Sequence, residues 1–118
     1  MNVRQGDIVL AFYPFASGSG TKKRPVLIVQ NDRDNQQLTN TIVAQITSNT
    51  RRAHEPTHLL IDVASAAGRQ SGLLSDSVIS WVNLATIHEG RIDRKIGSLP
   101  PSVMTQVDAC LKAALELP

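Results

Sequence analysis

The chain has 118 residues, 42% hydrophobic and 19% charged, with a formal net charge of +2. That describes a single globular domain over 1–118, apolar enough to build a core and too apolar to remain disordered. The single cysteine, Cys110, rules out an internal disulfide or a cysteine-based zinc site, and no apolar run is long enough to span a bilayer.

Short apolar runs alternate with polar, glycine-bearing connections, the pattern of a small β-barrel or sandwich. The first predicted strand covers 7–12, and Pro14 stops or bends it because proline cannot donate to a ladder. Residues 16–21 read as a flexible loop by composition. The second strand, 25–30, is an unbroken apolar run that predicts burial on both faces. Residues 31–40 are polar and turn-rich. The third strand, 41–47, alternates, with Ile42, Ala44 and Ile46 on one face and Gln45 and Thr47 on the other. A basic loop spans 51–56. Further strands are expected at 58–63, 77–82 and 85–87, with a short ribbon at 94–96. Val103, Val107, Cys110, Leu111 and Ala114 then fall on one helical face, and Pro101 suits the first turn. The expected fold is mainly β with a C-terminal helix, and Cys110 is expected to be a small core hydrophobe.

The sequence has no phosphate-cradling glycine loop, dinucleotide fingerprint or nucleophile elbow. His54, His58 and His88 lack helical zinc spacing. Any reaction is therefore expected to need neither metal nor cofactor. The N-terminal residues carry no apolar signal core, so a cytoplasmic protein without membrane contact is expected.

Three segments can carry chemistry. Lys22-Lys23-Arg24-Pro25 ends a loop where a rigid strand begins. Arginine there can grip two phosphate oxygens and stays protonated. The blander reading is a solvated charge run. Thr47-Ser48-Asn49-Thr50 leads into Arg51-Arg52. Hydroxyls and amides can hold phosphoryl oxygens, but they also favour ordinary strand exits. Asp76-Ser77 precedes a strand. Asp76 could accept a proton, hold an arginine or simply close a turn. His54 and His58 flank Glu55-Pro56-Thr57, where they could meet phosphate, act as acid or base, or stand exposed. Arg91, Arg94 and Lys95 read as a solvated patch. Trp81 reads first as core.

The order of these segments resembles the MazF/PemK-like toxins. The resemblance rests on Gly6-Asp7-Ile8-Val9, Lys23-Arg24-Pro25-Val26-Leu27-Ile28-Val29-Gln30-Asn31-Asp32, Ile46-Thr47-Ser48, Asp76-Ser77-Val78 and Ala85-Thr86-Ile87. Lys95-Ile96-Gly97-Ser98-Leu99 followed by a helix completes it, so nearly the whole chain is covered. The resemblance implies a small SH3-like β-barrel, a homodimer and a cognate antitoxin partner. It also implies metal-independent cleavage of single-stranded RNA at a short sequence, leaving a 2′,3′-cyclic phosphate and a 5′-hydroxyl. By the same resemblance, Arg24 and Thr47 are the catalytic pair and Asp76 a third candidate. Lys22, Lys23, Ser48, Asn49, Arg51, Arg52, His54 and Ser77 are the expected substrate contacts. One departure stands out: many relatives carry a carboxylate in the first loop, and here Gly18-Ser19-Gly20-Thr21-Lys22-Lys23 has none.

Two rival readings share that fold. One is a non-catalytic gyrase-poisoning toxin, which in such relatives relies on a tryptophan-bearing tail; this chain ends Leu115-Glu116-Leu117-Pro118. The other is a nucleic-acid- or antitoxin-binding module without activity, favoured by the missing loop carboxylate.

Overall fold

A computed structural model describes residues 1–12 and 22–118. The loop expected at 16–21 and the strand stop at Pro14 lie outside the described residues. Six strands form one antiparallel sheet: β1 (Asp7–Phe12), β2 (Lys23–Ile28), β3 (Asn40–Thr47), β4 (His58–Ile61), β5 (Ser77–His88) and β6 (Ile92–Ser98). They lie in the order β4-β5-β3-β2-β1-β6. Three helices complete the chain: α1 (Asp32–Gln37), α2 (Ala66–Ser71) and α3 (Pro101–Leu115).

Burial on both faces of β2 follows from its apolar run. Leu27 packs in one cluster with Ile8, Ala44, Ile46, Ile79 and Trp81, against Val107 and Cys110 of α3. Val26 and Ile28 point the other way, into a second cluster with Val9, Ala11, Val43 and Ile87. Register shifts at Ala44/Gln45 in the β3–β5 ladder, and at two places along β1–β6, bend the strands. The sheet thereby curls around the second cluster, barrel-like, while β4 and β6 remain its edges.

Several boundaries differ from the sequence reading. The strands expected at 77–82 and 85–87 are one strand, β5, because the shift opposite Gln45 absorbs Trp81 to Asn83 without breaking it. The ribbon at 94–96 lengthens to Ile92–Ser98 through its ladder with β1, and the strand at 58–63 stops at Ile61.

The turn-rich stretch after β2 holds α1, capped by the Asn31 side chain accepting from Asp34 N–H. Asn35 explains why this helix matters. It is fully buried, accepts from Gln30 Nε2 (3.0 Å) and Thr41 Oγ1 (2.7 Å), and donates to the Gln30 carbonyl (3.0 Å). This polar clip joins the end of β2 to the start of β3, where a loose connection would let their register slip.

Candidate active site

The β2–β3 ladder pairs Ile28 with Val43, Leu27 with Ala44 and Val26 with Gln45. Arg24 and Thr47 each lie two residues beyond the last pair. Both line one depression of about 360 Å³. Its floor is hydrocarbon, from Leu10, Pro25, Ile46, Leu73 and Ile96, and its polar walls are Arg24, Arg94, Thr47, Ser48, Ser75 and Ser77. A second depression of about 420 Å³ is lined by Gln45, Thr47, Asn49, Arg51, Arg52, His58, Ser80 and Asn83. The two adjoin at Gln45 and Thr47.

Thr47 is half-buried at the end of β3, and its Oγ1 accepts the Asn49 N–H at 3.1 Å. With that acceptor role filled by backbone, the hydroxyl proton is left to donate to a ligand oxygen. Asn49 in turn accepts from Arg51 N–H at 3.1 Å, which shapes the strand exit. Arg24 is exposed, and its side chain makes no hydrogen bond or ion pair among the described residues.

The other cations sort by their neighbours. Lys23 Nζ lies 3.3 Å from Asp93 and 5.7 Å from the Phe12 ring centroid, turned from the depression that holds Arg24. Lys95 pairs with Asp7 at 3.1 Å, and Arg91 donates to the Phe12 carbonyl at 3.0 Å. Arg94 is exposed, as read from sequence, and lines both the Arg24 depression and another beside the N-terminus. Arg52 sits 3.8 Å from Glu55. Of the cations that line the two depressions, Arg24, Arg94 and Arg51 have no carboxylate partner among the described residues.

Among the remaining expected contacts, Ser48 lines the first depression, while Lys22 and His54 are exposed and line neither. Ser77 lines the first depression but donates its hydroxyl to the Ser75 carbonyl at 2.9 Å. Asp76 lines neither depression; its Oδ1 accepts the Val63 N–H at 2.9 Å, tying the chain after β4 to the start of β5. His58 carries more of the site than His54. Its side chain is 5% exposed, with Nδ1 at 2.8 Å from Thr57 Oγ1 and 3.5 Å from Glu55.

Gln45, Ser80, Asn83 and Arg94 were not assigned from sequence. Gln45 was already legible as Thr47's companion on one strand face. Ser80 and His58 reach it only through the ladder, in which Gln45 faces Ser80 and Ser80 faces His58. Among the described residues, no group of three or more His, Cys, Asp or Glu side chains could hold a metal ion. Among the described residues, no helix is long and apolar enough to cross a membrane. Burial pushes the Cys110 thiol above its usual pKa; its Sγ lies 3.7 Å from the His58 carbonyl.

Comparison with known proteins identifies the family. The chain is 36% identical to Endoribonuclease EndoA of Bacillus subtilis, over 99% of this chain and 97% of the relative. It is 34% identical to Endoribonuclease MazF of Staphylococcus epidermidis, over 98% and 92%. The solved Mycobacterium tuberculosis toxin MazF-mt6 superposes with a TM-score of 0.78 at 29% identity, covering 95% of this chain and 98% of that one. A family model described as "PemK-like, MazF-like toxin of type II toxin-antitoxin system" matches residues 4–115. With a relative above a third identical along nearly its whole length and a family model spanning both strand ends of the site, the chain belongs to the PemK-like, MazF-like toxin family of type II toxin–antitoxin systems.

Proposed function

We propose that this protein is an endoribonuclease toxin that cuts single-stranded RNA, mRNA included, and so restrains growth until a cognate antitoxin blocks it. The observation that carries the reading is an unpaired guanidinium, Arg24, that shares one depression with a hydroxyl, Thr47, whose proton is left to donate. The similarity to two relatives named endoribonucleases supports it.

The chemistry follows from those groups. The 2′-hydroxyl beside the scissile phosphate attacks phosphorus and passes its proton to solvent water. The P–O2′ bond forms, the P–O5′ bond breaks, and the leaving oxygen takes a proton from water. The products are a 2′,3′-cyclic phosphate and a 5′-hydroxyl. Arg24 stabilises the charge gathering on the phosphorane and donates to the leaving oxygen, Thr47 holds a phosphoryl oxygen, and Arg94 adds a second cation. No carboxylate lines either depression among the described residues. His58, on a strand two away from β3, lines the second depression and not the one that holds Arg24. Charge stabilisation and positioning therefore carry the rate. Asp76 acts by position, through Val63, and the site needs no metal.

The protein acts in the cytoplasm as a homodimer, and the antitoxin competes with RNA for the basic depressions. The test is incubation of the purified protein with a long single-stranded RNA in excess EDTA, followed by mapping of the product ends. Discrete cuts ending in cyclic phosphate support the assignment. Intact RNA that nonetheless binds, with affinity falling as salt rises, favours the inactive binding module, to which the absence of a lining carboxylate also points. Intact RNA with binding to gyrase favours the gyrase-directed reading.

A further inference from the structure

The two depressions that meet at Gln45 and Thr47 are chemically unlike. On the Arg24 side the lining sets Pro25, Leu73, Leu74 and Ile96 beside the polar groups already named. Leu74 is 100% exposed at the mouth of that depression. The loop that carries it is braced on both flanks. Gly72, at φ +74°, packs so closely on β6 that a Cβ there would lie 2.0 Å from the Ile96 carbonyl oxygen. Leu73 N–H donates to Ser71 Oγ at 3.1 Å, and Asp76 holds the Val63 N–H. The backbone is thus held on both sides of Leu74, whose side chain stands out as an exposed apolar group.

On the other side the surface is built from hydrogen-bonding edges. Gln45, Ser80 and His58 form one row across β3, β5 and β4. Ser80 Oγ donates to Asn83 Oδ1 at 2.8 Å, which orients that amide. His58 is nine-tenths buried, and with Nδ1 facing Thr57 its other ring nitrogen has no partner among the described residues.

Resting on the ribonuclease reading, we propose that the two bases flanking the scissile phosphate are read by different physics. The base on the Gln45, Ser80, His58 and Asn83 side is chosen by hydrogen bonds and is therefore strict. The base on the Leu73 and Leu74 side is held by apolar packing and is therefore loose. A hydrogen-bonding site rejects a base with the wrong edge because its own polar groups are left unpaired. An apolar platform accepts any base because every base has a face to pack.

The experiment is cleavage-site mapping on a randomised single-stranded RNA library with the whole protein. The expected result is one flanking position dominated by a single base, by on the order of 10²-fold, while the opposite flank varies only severalfold. Asn83→Ala relaxes the strict position alone. Asn83→Asp, which replaces a donor with an acceptor, changes the base preferred there. Leu74→Ala lowers kcat/KM at every site and leaves both preferences as they were. Asn83 and Leu74 are exposed, so unchanged melting separates these effects from misfolding. Equal strictness on both flanks overturns the inference, as does an Asn83 variant that leaves the strict position untouched or a Leu74→Ala protein that relaxes it. Absence of any cleavage by folded wild type overturns the ribonuclease reading itself.

Discussion

Arg24→Ala removes a guanidinium that is exposed and makes no hydrogen bond or ion pair among the described residues. The fold loses nothing that depends on it, and surface changes of this kind stay within about 0.5 kcal/mol of wild-type stability. Catalysis loses much more. One preorganised charge stabiliser is worth roughly 10²–10³-fold in rate, or about 2.7–4 kcal/mol. Arg94 lines the same depression and keeps its charge, which places the expected loss nearer the lower figure. Arg24→Lys retains the charge but not the two-pronged grip, so its activity falls between alanine and wild type. The assay is initial cleavage rate on one defined single-stranded RNA in EDTA, with a thermal melt of each variant. RNA affinity against salt gives an independent reading: losing one phosphate contact lowers the log–log slope by roughly 0.7 for a single strand. An Arg24→Ala protein that melts like wild type and cuts at more than half its rate refutes the assignment. So does an unchanged salt slope, because it means that Arg24 never meets a phosphate.

Three further outcomes follow from named contacts. Asp76→Asn still accepts the Val63 N–H and is expected to keep activity within severalfold, whereas Asp76→Ala loses about 1 kcal/mol in denaturant titration; an Asn variant as dead as Arg24→Ala would make the carboxylate itself chemical. Asn35→Ala leaves buried hydrogen-bonding groups on Gln30 and Thr41 without their partner and is expected to cost about 1–3 kcal/mol, and more of the cleavage rate than its distance from Arg24 suggests, since the β2–β3 register depends on the clip; wild-type melting would remove that role. Cys110 is 6% exposed with its thiol pKa raised by burial, so it stays protonated near neutral pH and is expected to resist iodoacetamide until the protein is unfolded; labelling of native protein within minutes contradicts the packing of α3.

Sequence periodicity alone determined the strand-rich body, the double-sided burial of β2 and the C-terminal helix. Each of these is a local pattern of apolar side chains, and the chain can bury it in only one way. The Arg24 and Thr47 candidates were legible as a cation at a strand root and a hydroxyl at a strand exit, joined by family resemblance. The tertiary structure alone brought them to one depression, because that depends on how β2 and β3 pair, which no local signal encodes. It also separated cations that look equivalent in sequence: Lys23 and Lys95 turn to Asp93 and Asp7, while Arg94 lines the Arg24 depression. α1 and α2 escaped the sequence reading because each is six residues long, too short for an apolar stripe; capping and packing sustain them instead. The row of Gln45, Ser80 and His58 comes from three strands far apart in sequence, so only the pairing of β3, β5 and β4 makes it one surface.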